Sequence, residues 1–170
     1  MTGHGLRTRF IADRMLGRLA RYLRLLGYDT SYPPPGPDAH LVAKAQAEGR
    51  ILLTRDHGIF TREGPRKGSP RVVEVESQDV LGQIKQLADE GLIGDVGDPR
   101  CSLCNHLLSD IDEVEARHLM PPFTGATHCS YLYCRSCNIV LWEGSHWELF
   151  HGRIYRTLFR ADAEGNGLSA

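Results

Sequence analysis

Four of the five cysteines stand in two close pairs that have the spacing of zinc-binding knuckles. The first pair is Cys101 and Cys104, and the second, after twenty-nine intervening residues, is Cys134 and Cys137. Two residues between paired cysteines let both thiolates bind one metal ion, and two pairs complete the tetrahedral sulfur site that Zn²⁺ prefers. We therefore predict one structural zinc ion held by these four thiolates, with a loop that bulges out between the pairs.

Three aspartates stand where predicted strands end or predicted helices begin. Asp13 follows a β-prone run, Asp56 follows a continuous apolar run, and Asp38 opens a predicted helix. Parallel sheets bind ligands at the carboxyl ends of their strands, so these carboxylates are expected at one rim. Converging carboxylates bind Mg²⁺ or Mn²⁺, and such an ion can activate water for hydrolysis of a phosphodiester. In the alternative, structural reading, Asp13 and Asp38 are helix caps and Asp56 is a turn residue.

Arginines recur along the first predicted helix, on the face away from its leucines. These arginines are Arg14, Arg18, Arg21 and Arg24, and the leucines of the buried face are Leu16, Leu19, Leu23 and Leu26. Arginine can bind phosphate in a bidentate manner, so the row is a candidate phosphate contact, with a solvated charged face as the alternative. Glycine in a helix interior is less favourable than alanine by about 1 kcal/mol. Its presence at position 17 therefore favours close approach of a backbone or a ligand there.

The order of predicted elements is that of an α/β domain. Strands are predicted at residues 8–12, 28–32, 51–54 and 71–75, and helices at residues 14–26, 39–48 and 78–89. This alternation predicts a parallel sheet flanked by helices. The α/β domain is expected at residues 1–95, a glycine- and proline-containing linker at 94–99, a small zinc ribbon at 99–160 and a disordered tail at 161–170.

The residues around the second cysteine pair leave several roles open. Cys129 is expected to be a small buried side chain, although Cys129 or His128 could replace one of the four zinc ligands. Both tryptophans, Trp142 and Trp147, are expected to pack on the core of the zinc ribbon. His146 is either structural or a group that contacts a phosphate or transfers a proton.

Charge and hydropathy limit the partners and the compartment. The 170 residues carry a net charge of −1, so a nucleic acid has to be bound through a local basic patch. No segment has the apolar core of a signal peptide or the length to span a bilayer, and we expect no membrane partner. Close cysteine pairs without an export signal indicate reduced thiolates, and therefore a cytoplasmic protein.

Several segments, taken in order, resemble one known family. Residues 10–21 read FIADRMLGRLAR, residues 26–29 read LGYD and residues 49–56 read GRILLTRD. The two cysteine pairs and residues 142–147, WEGSHW, follow. In this combination the chain resembles the Mut-seven C-terminal ribonuclease domain family from about Arg9 to Trp147. That family belongs to the PIN-like superfamily, and the resemblance implies a parallel sheet, an acidic Mg²⁺ or Mn²⁺ site and cleavage of RNA.

The resemblance also implies roles for single residues. Asp13, Asp56 and Asp38 match positions of the acidic site, and Asp79 or Glu76 would supply a fourth acid. The sequence therefore predicts a divalent-metal-dependent ribonuclease acting on single-stranded or structured RNA. The predicted RNA-binding residues are Arg14, Arg18, Arg21, Arg24 and His146.

Two other functions are alternatives to the ribonuclease. One is a catalytically weak RNA-binding or ribosome-associated module whose ribbon recognises the RNA; metal-dependent cleavage by the pure protein separates it from the nuclease. The other is a receiver-like phosphoacceptor. A receiver requires an acid pair after its first strand and a lysine after its last, and the sequence has neither pattern.

Overall fold

The computed structural model describes residues 7–64, 66–120, 130–142, 152–154 and 158. The chain divides into two compact units, Met1–Asn105 and His106–Ala170. Four residues discussed above lie outside the described residues, as does the predicted tail at 161–170; they are His128, Cys129, His146 and Trp147.

The first unit is an α/β fold built on four parallel strands. Its elements are β1 (Phe10–Ala12), a 3₁₀ turn (Arg14–Leu16), α1 (Gly17–Leu25), β2 (Thr30–Ser31), α2 (Asp38–Glu48), β3 (Ile51–Thr54), α3 (His57–Glu63), β4 (Val72–Glu74) and α4 (Val80–Asp89). The strands lie in the order β2-β1-β3-β4, and every neighbouring pair is parallel. The predicted parallel sheet flanked by helices is confirmed.

Alternation along the strands gives the sheet two apolar faces. On one face Ile11 and Leu52 pack with Ala45 of α2 and Ile59 of α3. The leucines predicted for the first helix are buried, with at most 1 % of their surface exposed; they are Leu16, Leu19, Leu23 and Leu26. Helix α1 contacts β1, β2 and α4. Full burial of each such side chain stabilises the fold by about 1.5–3 kcal/mol.

The helix ends follow the local sequence closely. Gly49 ends α2 at a φ of 60°, a left-handed conformation that glycine adopts without strain. Helix α2 begins with Asp38 itself, because Pro37 is the N-cap residue and Asp38 lies in the first turn. Helix α3 was not expected from the sequence; Asp56 caps it by accepting the N–H groups of Gly58 and Ile59.

The segment expected to be a linker is hydrogen-bonded to the first unit. The Tyr28 hydroxyl donates to Asp95 Oδ1 at 2.9 Å and accepts the N–H of Gly94 at 3.0 Å. Farther along, the N–H of Arg100 donates to the carbonyl of Arg24 at 2.9 Å. These contacts tie residues 94–100 to the sheet domain, and Asn105 is the last residue of the first compact unit.

The second unit contains a small antiparallel sheet. Its elements are β5 (Ser109–Ile111), α5 (Glu113–Leu119), β6 (Tyr131–Cys134) and β7 (Ile139–Trp142), and the strand order is β5-β6-β7. Ala116, Met120 and Tyr131 form its buried cluster, and Trp142 packs against that cluster. This packing agrees with the structural role expected for Trp142.

Within the part of the chain that the structure describes, no helix has the length and apolar character needed to cross a membrane.

Candidate active site and metal centre

The carboxyl ends of β1 and β3 bring Asp13 and Asp56 to the two sides of one hydroxyl group. Asp13 continues the pairing of β1 with β3, because its N–H donates to the carbonyl of Leu53 at 2.9 Å. The hydroxyl of Thr54 donates to Asp13 Oδ2 at 3.0 Å and accepts the N–H of Asp56 at 2.9 Å. Thr54 is fully buried, so this hydroxyl fixes both acidic residues from beneath.

Each of these two aspartates also caps a helical segment. Asp13 Oδ1 accepts the N–H of Arg14 at 2.6 Å, and Asp56 Oδ1 accepts the N–H of Gly58 at 2.7 Å. The capping role of the structural reading is therefore real for both residues. Asp56 can have a second role besides capping, because no hydrogen bond from the described residues is made to its Oδ2. Asp56 is exposed and Asp13 is half-buried, so both carboxylates lie at the surface of the rim.

The other predicted acids have different partners. Asp38 Oδ2 lies 3.2 Å from the guanidinium of Arg62, and both side chains are exposed. Asp79 caps α4, with Oδ1 accepting the N–H groups of Leu81 and Gly82. The hydrogen bond from Gly82 and the one from the Ser77 hydroxyl hold the pKa of Asp79 below its usual range. Neither acid is joined to Asp13 or Asp56 by any hydrogen bond among the described residues.

Glu74 was missed from the sequence, although its strand pairs it with Thr54 of the site. In the sheet Glu74 pairs with Thr54, and neighbouring residues of parallel strands project to the same face, so Glu74 shares the row of Asp13 and Thr54. Nδ1 of His57, the first residue of α3, lies 3.1 Å from each carboxylate oxygen of Glu74. The alternation of the predicted strand, with Glu74 between two valines, was the signal that could have identified it.

Three of the four predicted RNA-binding arginines of the first helical segment are exposed, namely Arg14, Arg18 and Arg21. Arg24 is not part of that face, because only 5 % of its surface is exposed. Its Nε donates to the carbonyl of Thr30 at 2.8 Å, and its Nη1 donates to those of Ser102 and Leu103 at 2.8 and 3.1 Å. Burial lowers the pKa of Arg24. Arg24 therefore holds the first cysteine pair against the sheet domain, and its predicted place on the exposed, RNA-binding face is wrong.

Asn105 adds a second attachment of the first cysteine pair. Its Oδ1 accepts the N–H of Thr30 at 3.0 Å, and its Nδ2 donates to Asp29 Oδ1 at 2.7 Å. Asp29 also forms an ion pair with Arg50, with Oδ1 and Nη1 2.7 Å apart. Burial alone would raise the pKa of Asp29, but the hydrogen bonds from Arg50 and Asn105 outweigh it and lower that pKa.

The four paired cysteines form a candidate metal centre. One sulfur from each of Cys101, Cys104, Cys134 and Cys137 lies within 4.8 Å of all the others. Cys101 and Cys134 are fully buried. Among the described residues this is the only group of three or more potential metal ligands. Four thiol sulfurs at this separation are the donor set of a structural Zn²⁺ site, so the residues fit the predicted ion.

Both cysteine pairs are followed by an asparagine in the left-handed conformation. Asn105 has a φ of 72° and Asn138 a φ of 54°. Asparagine tolerates this conformation better than most residues, because its short amide can bond to the nearby backbone. The N–H of Asn105 donates to the carbonyl of Cys101 at 2.9 Å and so closes the first turn. The two knuckles thus share a left-handed asparagine directly after the second cysteine of the pair.

Comparison with known families places the chain in one of them. Residues 8–154 match the family model described as the Mut7-C RNAse domain, which is most of the 170-residue chain. No curated protein and no solved structure matches. The matched span includes the parallel sheet, the rim with Asp13 and Asp56, and all four paired cysteines. The chain belongs to the Mut7-C RNAse domain family, as its resemblance in sequence predicted.

Proposed function

We propose that this protein is a divalent-metal-dependent ribonuclease whose active site lies at the carboxyl ends of β1 and β3. The observation that carries the proposal is the Thr54 hydroxyl, which binds Asp13 on one side and the backbone of Asp56 on the other. A buried threonine with this arrangement holds two acidic residues at the sheet edge where parallel α/β folds bind ligands. Membership of a family named for RNAse domains supports RNA as the substrate.

Two carboxylates suit magnesium in such a site. Mg²⁺ usually binds proteins through one or two carboxylates and completes its octahedral shell with water and substrate phosphate. Asp13 and Asp56 would hold Mg²⁺ or Mn²⁺ in this manner. When bound, the ion would supply the activation of water and neutralise charge on the phosphodiester. Asp38 is a weaker candidate because Arg62 pairs with it, and Asp79 is weaker still because its carboxylate caps α4.

Other residues of the rim would bind and orient the RNA. Arg14, Arg18 and Arg21 are exposed on the helical segment that follows Asp13, where they can contact phosphates. Glu74 would hold His57 through Nδ1, which leaves Nε2 directed away from the carboxylate and able to exchange a proton near the site. His146 remains proposed from the sequence alone.

The cysteine centre would hold one structural Zn²⁺ and stabilise the turns that carry the thiolates. Reduced thiolates are maintained in the cytoplasm, which is the compartment we propose.

The direct test is cleavage of a 5′-labelled single-stranded RNA by the purified full chain, with and without added Mg²⁺ or Mn²⁺. Chelators are omitted so that zinc is retained. Cleavage that depends on the added ion supports the nuclease. One observation favours the binding-module alternative, since among the described residues the acids do not form a three-ligand group. Binding of RNA without cleavage under either ion would support that alternative.

A further inference from the structure

Tyr32 lies at the same rim as the candidate active site. It follows β2 directly, and 39 % of its surface is exposed. Its hydroxyl donates to the carbonyl of Arg14 at 2.6 Å. Arg14 is the residue after Asp13, and its N–H in turn donates to Asp13 Oδ1. Two consecutive hydrogen bonds therefore connect the aromatic side chain with the first acid.

The ring of Tyr32 is fixed against the backbone of Gly17, at the beginning of α1. A Cβ atom at Gly17 would lie 2.8 Å from Oη and 3.0 Å from Cζ of Tyr32. The group that approaches Gly17 closely is thus a side chain, whereas the sequence predicted a backbone or a ligand there. A ring held at its tip by Arg14 and along its edge by Gly17 has little freedom to lose on binding, which lowers the entropic cost of a contact.

Strand β2 is the neighbour of β1, so Tyr32 follows the strand next to the one that leads to Asp13. Across the sheet, from β2 through β1 and β3 to β4, the strand ends carry Tyr32, Asp13, Thr54 with Asp56, and Glu74 in turn. Neighbouring strands are about 4.8 Å apart. A nucleic-acid strand that crosses this rim with one phosphate at the acids would bring an adjacent nucleotide to Tyr32.

The charges around Tyr32 favour the same occupant. Arg14 and Arg18 are exposed on the turn and helix that the ring contacts, and arginines there attract the phosphates on either side of a base. We propose that Tyr32 is a stacking platform for the base next to the scissile phosphate, which makes unpaired RNA the substrate class of this site. Bases inside a duplex already stack on their neighbours, so only an unpaired base can stack on the ring. This inference rests on the proposed function.

The test measures binding of a short single-stranded RNA that contains 2-aminopurine, without added Mg²⁺ or Mn²⁺, by anisotropy and by quenching of the base. Tyr32→Leu removes the ring, and we expect about 10-fold weaker binding and loss of the quenching. Tyr32→Phe keeps the ring and should retain most of the binding. Gly17→Ala keeps Tyr32 but displaces its ring, so binding should weaken as in Tyr32→Leu.

Two further substrates identify the contact. With an abasic nucleotide at the stacked position, Tyr32→Leu and wild-type protein should bind equally; a duplex of the same sequence should also show no difference. Equal binding of the single strand by wild type and Tyr32→Leu would overturn the stacking role and leave the proposed nuclease intact. An equal loss of affinity for the single strand and for the duplex would also overturn the stacking role. If wild-type protein binds no RNA, the proposed function fails together with the inference. Thermal unfolding of each variant confirms that it is folded.

Discussion

The Thr54 hydroxyl donates a hydrogen bond to Asp13 Oδ2 at 3.0 Å, which links the ends of two neighbouring strands. Because Thr54 is buried, Thr54→Val leaves the N–H of Asp56 and one oxygen of Asp13 without their partner. A buried unsatisfied group costs about 1–3 kcal/mol, and water can reach half-buried Asp13 and exposed Asp56. We therefore expect a loss of about 1 kcal/mol in the free energy of unfolding, measured by chemical denaturation. Thr54→Ser keeps the hydroxyl and is the matched control.

Cleavage by the same two variants separates positioning from stability. Below its unfolding transition, Thr54→Val should cleave RNA more slowly than Thr54→Ser, because Asp13 and Asp56 have lost their common support. Wild-type stability and wild-type cleavage in Thr54→Val would show that the hydroxyl does not position the acids.

Much of the sheet and the cluster of four cysteines could be predicted because short-range patterns determine them. The apolar run that forms β3 and the acid just beyond it are adjacent in sequence, and the paired cysteines have a spacing that only a few structures use. Helix α3 could not be predicted in this way. Its seven residues include a glycine and a threonine and show no apolar period, and its start depends on the cap provided by Asp56.

Arg24 was wrongly grouped with the exposed arginines for a geometric reason. Arg18, Arg21 and Arg24 recur every three residues, and each such step turns an α-helix by about 300°, so the row drifts about 60° per step. By Arg24 the drift has reached the edge of the buried face, next to Ala20. The carbonyls of Ser102 and Leu103 that receive its guanidinium lie more than seventy residues away in sequence. No local sequence pattern indicates such a contact.

The exposed arginines predict a change in the salt dependence of RNA binding. If Arg18 and Arg21 each neutralise one phosphate, the double variant Arg18→Ala/Arg21→Ala should bind more weakly. Its slope of log K against log salt should be smaller by about 1.4, which is about 0.7 for each contact with a single strand. The control is Lys44→Ala/Lys85→Ala, which removes the same charge from α2 and α4. A slope equal to that of wild type would show that Arg18 and Arg21 do not contact phosphates and belong to an ordinary solvated surface.

The cysteine centre predicts about one zinc ion per chain in purified protein, measured by elemental analysis. Cys104→Ser and Cys134→Ser should each lose this zinc, because three thiolates and a hydroxyl bind it more weakly than four thiolates. Limited proteolysis should then cut the C-terminal third faster than in wild type, since structural zinc contributes folding free energy. Wild-type protein that contains no zinc, or serine variants that keep all of it, would contradict this assignment.

The lowered pKa of Asp29 makes the free energy of unfolding depend on pH in the acid range. Its pKa is lowered in the folded protein by Arg50 and Asn105, so the folded state binds its proton less readily than the unfolded state. The stabilisation is therefore complete above the unfolded pKa of about 4 and is lost as pH falls through the folded value. Asp29→Asn should lower the free energy of unfolding at pH 7, and the difference from wild type should shrink below pH about 4. A difference that stays constant down to pH 2 would exclude this linkage.

The proposed active site is tested by removing one charge at a time while the caps are kept. Asparagine caps a helix about as well as aspartate, so Asp13→Asn and Asp56→Asn should unfold at temperatures near that of wild type. Asp89→Asn is the matched control, because Asp89 is an exposed acid of the same unit whose only ion pair among the described residues is with Lys85 on α4. Asp38→Asn, in which the carboxylate paired with Arg62 is neutralised, should retain more activity than either active-site variant.

The decisive quantity is the rate of Mg²⁺- or Mn²⁺-dependent cleavage of single-stranded RNA by folded Asp13→Asn and Asp56→Asn. We predict a fall by about 100-fold or more in each variant, with Asp89→Asn unchanged, because each variant removes a charge that would hold the ion and stabilise the transition state. Cleavage at the wild-type rate by either folded variant would contradict the assignment of Asp13 and Asp56 as the active site.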